Sequence, residues 1–167
     1  MNTRLIATLL LATKAIMAQD DHHKGVQQRG DHMMGFSHDK TTHHFRLYVN
    51  GGAIEVTAND PNDTASRDQI RMHLSHIAGM FAAGDFKAPM LIHDRVPPGV
   101  PALQTLKAGV KYRYEDIGRG GRVRIATQNK KALAAVYEFL RFQIVDHQTG
   151  DTAEITKATA TDQQPGR

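Results

Sequence analysis

The stretch "HFRLYVNGGAIEVTAND", residues 44–60, decides the fold. Phe45, Leu47 and Val49 alternate with polar neighbours, and Ile54 and Val56 resume the alternation after a glycine pair. A period of two is that of a half-buried strand, and two such runs around a glycine-containing turn predict a β-hairpin. Strand parity places His43 on the face of Phe45, Leu47 and Val49, which must meet the core. His44 faces the other way with Arg46 and Tyr48.

The pattern recurs in "KYRYEDIGRGGRVRIATQN", residues 111–129. Gly120-Gly121 aligns with Gly51-Gly52, Val123 and Ile125 with Ile54 and Val56, and Asn129 with Asp60. The second hairpin uses Val110, Tyr112 and Tyr114 on its first strand. Each hairpin leads into an apolar stripe at helical spacing. The first stripe, Ile70, Leu74, Ile77 and Phe81, lies on a helix from about Ser66 to Ala83. The second, Leu133, Val136, Tyr137, Leu140 and Ile144, lies on one from about Lys131 to His147. Each helix is followed by Gly-Asp, Gly84-Asp85 and Gly150-Asp151. The expected fold is α+β: a two-layer sandwich, a four-stranded antiparallel sheet with helices on one face, built from a duplicated ββα unit over residues 43–151. Between the units, "PMLIHD" (89–94) is expected as a short strand, "RVPPGVP" as a stiff turn and "ALQTLKAG" as a short helix ended by Gly109.

The flanks differ in character. "MNTRLIATLLLATKAIMAQ" has Arg4 ahead of an apolar run and a small residue, Ala18, at a suitable cleavage point. That predicts a signal peptide over 1–18 and a periplasmic or secreted mature chain. The run is too short to span a membrane, and no other stretch is long enough. Residues 19–42 read as a flexible or loosely docked His/Met-rich arm, and 152–167 as a disordered polar tail. Without residues 1–18 the chain carries 19 basic and 17 acidic residues, so charge gives no case for a nucleic-acid partner.

Of the chain's 167 residues, ten are histidine, seven methionine and none cysteine. All ten histidines follow the signal peptide. A metal site in this chain must therefore use His, Met, Asp or Glu. Imidazole suits Cu(II), Zn and Ni, and thioether suits Cu(I), so a mixed set favours copper, with zinc as runner-up. The arm offers His32, Met33, Met34 and His38. On the first helix His73, His76 and Met80 share one edge, at neighbour spacings of three and four residues. His43 opens the first strand, and His93 precedes Asp94, a partner type that fixes an imidazole tautomer. A convergence of His43, His73, His76 and His93, with Met80 or Met33 nearby, is the candidate site. No catalytic nucleophile is marked: "GFSH" is not a nucleophile elbow and "HLSH" is not a zinc-protease motif.

Two surface features point elsewhere. Phe139 and Phe142 lie off the main stripe of the second helix, which predicts a homodimer contact there. Lys111, Arg113, Arg122 and Arg124, with Arg119 in the turn, form a basic strip on the outer sheet face.

"MGFSHDKTTHHF", "GGAIEVTANDPNDTASRDQIRMHLSHIA" and "VPPGVPALQTLK" resemble a group of small exported bacterial proteins. The resemblance covers most of residues 32–151 and implies the same compartment and fold without implying an activity. Members of that group sometimes carry the name aspartate carbamoyltransferase. "TASRDQIR", Thr64–Arg71, is faintly similar to the carbamoyl-phosphate loop of those enzymes. The four-cysteine zinc site of their regulatory chain has no counterpart in a cysteine-free chain, and carbamoyl transfer is not expected.

The leading expectation is an exported protein that binds a transition metal for sequestration, delivery or redox use. The alternatives are a metal-free binding or self-associating module, and an enzyme built on the histidine cluster.

Overall fold

The computed structural model describes residues 21–157. The expected signal peptide over 1–18, and residues 158–167 of the expected disordered tail, lie outside the described residues. Residues 21–34 form helix α1. After a 3-10 turn, His38–Lys40, come β1 (Thr41–Tyr48), β2 (Gly51–Ala58), α2 (Thr64–Ala83), α3 (Lys87–His93), α4 (Val100–Thr105), β3 (Val110–Ile117), β4 (Gly120–Thr127) and α5 (Lys130–Asp146). The strands form one four-stranded antiparallel sheet in the order β1-β2-β4-β3. The expected α+β sheet is therefore present. The element order runs strand, strand, helix at both ends of the domain.

The two hairpins meet at β2 and β4, where Ile54 lies opposite Val123. The glycines expected to make the turns instead open these strands. The turns themselves fall at Val49-Asn50 and Gly118-Arg119, so Val49 is exposed rather than in the core. Gly51, at φ 151°, would drive a Cβ to 1.9 Å from the Ile125 carbonyl oxygen. Gly120 would drive one to 2.0 Å from the Val56 carbonyl oxygen. Each central strand thus needs a glycine where it starts, because the other strand's backbone fills the Cβ position.

The helices cross over. α2 lies mainly on β4 and β3, and α5 mainly on β1 and β2. Each hairpin is therefore covered by the helix that follows the other one. Local chemistry fixes their ends. The Asp63 carboxylate accepts from the Ser66 backbone N–H at 2.9 Å, and Asn129 does the same for Lys131 and Ala132. Gly84, at φ 81°, ends α2, with Asp85 N–H reaching the Met80 carbonyl at 2.8 Å. The cap of the first unit is Asp63, three residues after the Asp60 that aligns with Asn129.

"PMLIHD" is part of a helix, α3, rather than a strand. A short apolar run cannot separate the two by pattern alone. Pro89 sits in the first turn of α3, where its missing N–H is not needed. Asp85 accepts from the Lys87 N–H at 2.9 Å, and Asp94 closes the helix in the left-handed conformation at φ 52°.

Phe139 belongs to the core. It is 1% exposed and stands edge-on to the stacked pair Phe81 and Phe86, at 5.9 and 5.8 Å. Phe142 is half-buried beneath the Arg95 guanidinium. Phe139 is thus consumed inside the chain and cannot serve the expected dimer contact, while Phe142 stays half-buried, because α5 packs on the sheet with one face and on α4 and the end of α3 with an adjoining one. The basic strip is also matched in part by carboxylates of the same sheet. Glu115 pairs with Arg113, Arg122 and Arg124, and Glu55 pairs with Arg122.

Both flanks are tied down where they are described. Val26 of α1 is fully buried and Phe36 is 4% exposed. At the other end Thr156 donates its backbone N–H to the Leu47 carbonyl at 2.9 Å, beside edge strand β1.

The seam between β2 and β4 gives a direct test. Gly51→Ala and Gly120→Ala are each expected to cost about 1–3 kcal/mol by overpacking, measured by urea unfolding. Exposed Gly118→Ala, whose Cβ would meet nothing within 4 Å, is the control and stays close to the parent.

Candidate functional site

The histidines gather where α1, α3, the end of α5 and the start of β1 meet. Asp146, the last residue of α5, organises them. Its Oδ2 lies 2.5 Å from His93 Nδ1. Its Oδ1 accepts from Arg95 at 2.6 Å and lies 3.0 Å from His22 Nε2. One buried carboxylate therefore joins α1, α3 and α5. Burial alone pushes this carboxyl up, but the hydrogen bonds from His93, His22 and Arg95 outweigh it and hold the carboxyl below its ordinary value. Arg29 of α1 adds a second tie, donating to the Ile92 carbonyl of α3 at 2.7 Å.

His93 is 1% exposed. Burial holds it below its ordinary pKa against the pull of Asp146, so at neutral pH it is an imidazole that donates Nδ1–H to the carboxylate. Its Nε2 lies 2.9 Å from Gln143 Oε1, which only accepts, as the side-chain amide is oriented. A neutral ring needs a donor there. Gln143 supplies one when its NH2, otherwise buried and without a partner, is the end that faces the ring. Both nitrogens of His93 are thus occupied, so it makes a wall rather than a general base.

Beside it lies a cavity of about 60 Å³, lined by His43, His73, His93, His147 and Met34 among apolar core side chains. A second cavity, of about 190 Å³, lies under α1 and includes His23, Gln27, His38 and Thr149 in its wall. Met34, His43 and His147 line both cavities. Among the described residues no Asp, Glu, Lys or Arg lines either one.

The rings form a continuous chain of contacts. His43 lies parallel to His147 at 5.7 Å and 9°, and Phe36 lies 6.1 Å from it at 28°. His147 meets His93 edge-on at 5.0 Å. His73 meets Phe36 edge-on at 5.7 Å. Burial first, and His73 second, push His43 down to about 4. Burial first, and His76 second, push His73 down to about 4. Burial, with His43 and His93 nearby, holds His147 well below its ordinary value. The rings facing the cavity are therefore neutral at physiological pH. His43 Nε2 is buried and has no hydrogen-bond partner. An unpaired polar atom in such a place costs about 1–3 kcal/mol.

Three of the four expected convergent histidines, His43, His73 and His93, line the one cavity. His76 does not: it is exposed to solvent. Met80 packs half-buried against the core and lies off the cavity wall. Of the arm, Met34 reaches the cavities. His38 lines only the larger one, with Nδ1 held 2.9 Å from Asp31. His32 and Met33 border a separate surface groove with Gln28, Arg29 and Leu91. Asp94, expected to fix the His93 tautomer, is the α3 cap, and Asp146 takes that role instead. In the transcarbamoylase-like segment, Arg67 pairs with Asp68 and Arg71 donates to carbonyls of the β3–β4 turn. No group of three or more His, Asp or Glu side chains converges at metal-binding geometry among the described residues.

Sequence reasoning missed His147, Gln143 and Asp146. A signal existed: Phe139, Gln143 and His147 recur every four residues, which makes one edge of α5. Compared with family models, curated proteins and solved structures, the chain matches none of them.

The neutral rings make acid stability a test. Folded His43 and His73 hold protons less well than an unfolded histidine near 6.5. Their contribution is complete above that value and is lost as pH falls through 6.5 toward about 4. Metal-free protein is expected to lose melting temperature across that window, above the range where most carboxylates protonate. A His43→Gln/His73→Gln double variant is expected to flatten the loss. An unchanged slope in the double variant contradicts this origin.

Proposed function

We propose that the protein is an exported binder of a transition-metal ion, copper before zinc, that holds the ion in the chamber beneath α1. One observation carries the reading: His43 Nε2 is buried, unpaired and set beside His147 and Met34 on a wall common to two cavities. A neutral imidazole is the form that ligates, and burial keeps these rings neutral. An ion at Nε2 removes the cost of the orphan nitrogen.

Other features support the same reading. The Asp146 cluster clamps the helix that closes the chamber. The chain has no cysteine, so a metal site must use His, Met, Asp or Glu, and the chamber collects the first two kinds. A leader at residues 1–18 gives the export. The repeated strand-strand-helix order, with matching glycines at the central seam, supports an origin by duplication of a ββα unit.

The test is titration of the full chain with Cu(I), Cu(II) and Zn(II). One ion per chain is expected for the preferred metal. His43→Gln and His147→Gln are each expected to weaken binding at least about tenfold, equivalent to about 1.4 kcal/mol. His32→Gln and His76→Gln, on the surface, leave it unchanged. Binding that follows the surface histidines instead reduces the effect to adventitious chelation and overturns the proposal.

A further inference from the structure

We infer that the ion is monovalent copper, held by His43, His147 and the Met34 thioether, and that the chamber discriminates against divalent ions. The inference rests on the metal-binding reading above and narrows it to one charge and one ligand set.

Neither cavity is lined by a carboxylate among the described residues. A divalent ion held here keeps its full charge in surroundings of Phe45, Val56, Leu74 and Phe139. The cost of burying an ion rises with the square of its charge, so a divalent ion pays about four times as much as a monovalent one. Zinc in protein sites takes four ligands, commonly with thiolate or carboxylate among them. The chamber offers none of these.

Ligand number and softness point the same way. His93 is committed on both nitrogens, to Asp146 and Gln143. His38 is committed to Asp31 through Nδ1. His73 is turned edge-on to Phe36. The side chains common to both cavities that can ligate are His43, His147 and Met34. Two imidazoles and one thioether make a neutral, low-coordinate, partly soft set, which suits Cu(I). The centroids of His43 and His147 are 5.7 Å apart with their planes 9° from parallel, and an imidazole lone pair lies in the ring plane, so a shared ion requires one of the two neighbouring rings to rotate out of the stack until both nitrogens face it. Met34 ends α1, so the third ligand arrives with the helix that closes the chamber over the other two.

The closing experiment compares ions and variants on the full chain under anaerobic conditions. Cu(I) is offered from a chromogenic bidentate chelator, and Cu(II) and Zn(II) are titrated separately. Histidine ring resonances report which side chains respond. Cu(I) is expected to bind at least a hundredfold more tightly than Zn(II) and to shift His43 and His147. Met34→Leu is expected to weaken Cu(I) at least tenfold without lowering the melting temperature of the metal-free chain, and Met33→Leu is expected to have no effect. Sulfur in the first coordination shell, read by X-ray absorption, is lost in Met34→Leu. Zinc or Cu(II) binding at His43 and His147 as tightly as Cu(I), or a Met34→Leu variant with parental affinity and spectrum, overturns the monovalent assignment while the metal reading stands. Failure of all three ions to move the His43 and His147 resonances overturns both.

Discussion

The chamber depends on one buried carboxylate. Asp146 receives His93 from α3, Arg95 from the loop after it and His22 from α1. Those partners make its burial tolerable, since an unpaired charge in that position is strongly disfavoured. The constraint runs both ways. Asp146 holds His93 with its ring toward the cavity, and it holds α1 down on the opening. It is also the residue before His147, so the clamp and a proposed ligand are set by one turn of backbone. Desolvation in this packing keeps His43, His73 and His147 neutral.

The sheet makes such a clamp possible. α2 and α5 each lie over the hairpin of the other half, so neither half buries its own apolar face. Folding must join the halves, and β2 and β4 do so along a seam where the Gly51 and Gly120 positions are filled by the other strand's backbone. The end of α5 and the start of β1 are then held side by side, which brings His147 onto His43. Glu55 and Glu115 pair with Arg113, Arg122 and Arg124 on the outer face. That matching separates a solvent-side charge ladder from an uncharged chamber on the helix side.

Much of this was legible from residues. Alternation at Phe45–Leu47 and Ile54–Val56 gave both the hairpin and the facing of His43, because strand parity is a local property. The stripe from Ile70 to Phe81 gave α2 for the same reason. Residues 89–94 misled because four apolar positions have no period, and the deciding signals, Asp85 ahead and Asp94 behind, are single polar residues. The glycine pairs were assigned to turns because a sequence does not show which backbone approaches a strand. At the site, His43, His93 and Met34 could be named, but their grouping with His147 and Asp146 needed the crossing of α5 over β1. His76 shares a helix edge with His73, yet a few tens of degrees of rotation decide that one ring faces the cavity and its neighbour faces water.

Anomalous diffraction at the copper edge, from crystals of the full chain grown with Cu(I) under reducing conditions, tests the central claim most directly. The account predicts one strong peak inside the chamber, within bonding distance of His43 Nε2, a His147 ring nitrogen and the Met34 sulfur. A peak confined to the surface around His32 or His76, or no peak in a chain that retains this fold, contradicts it.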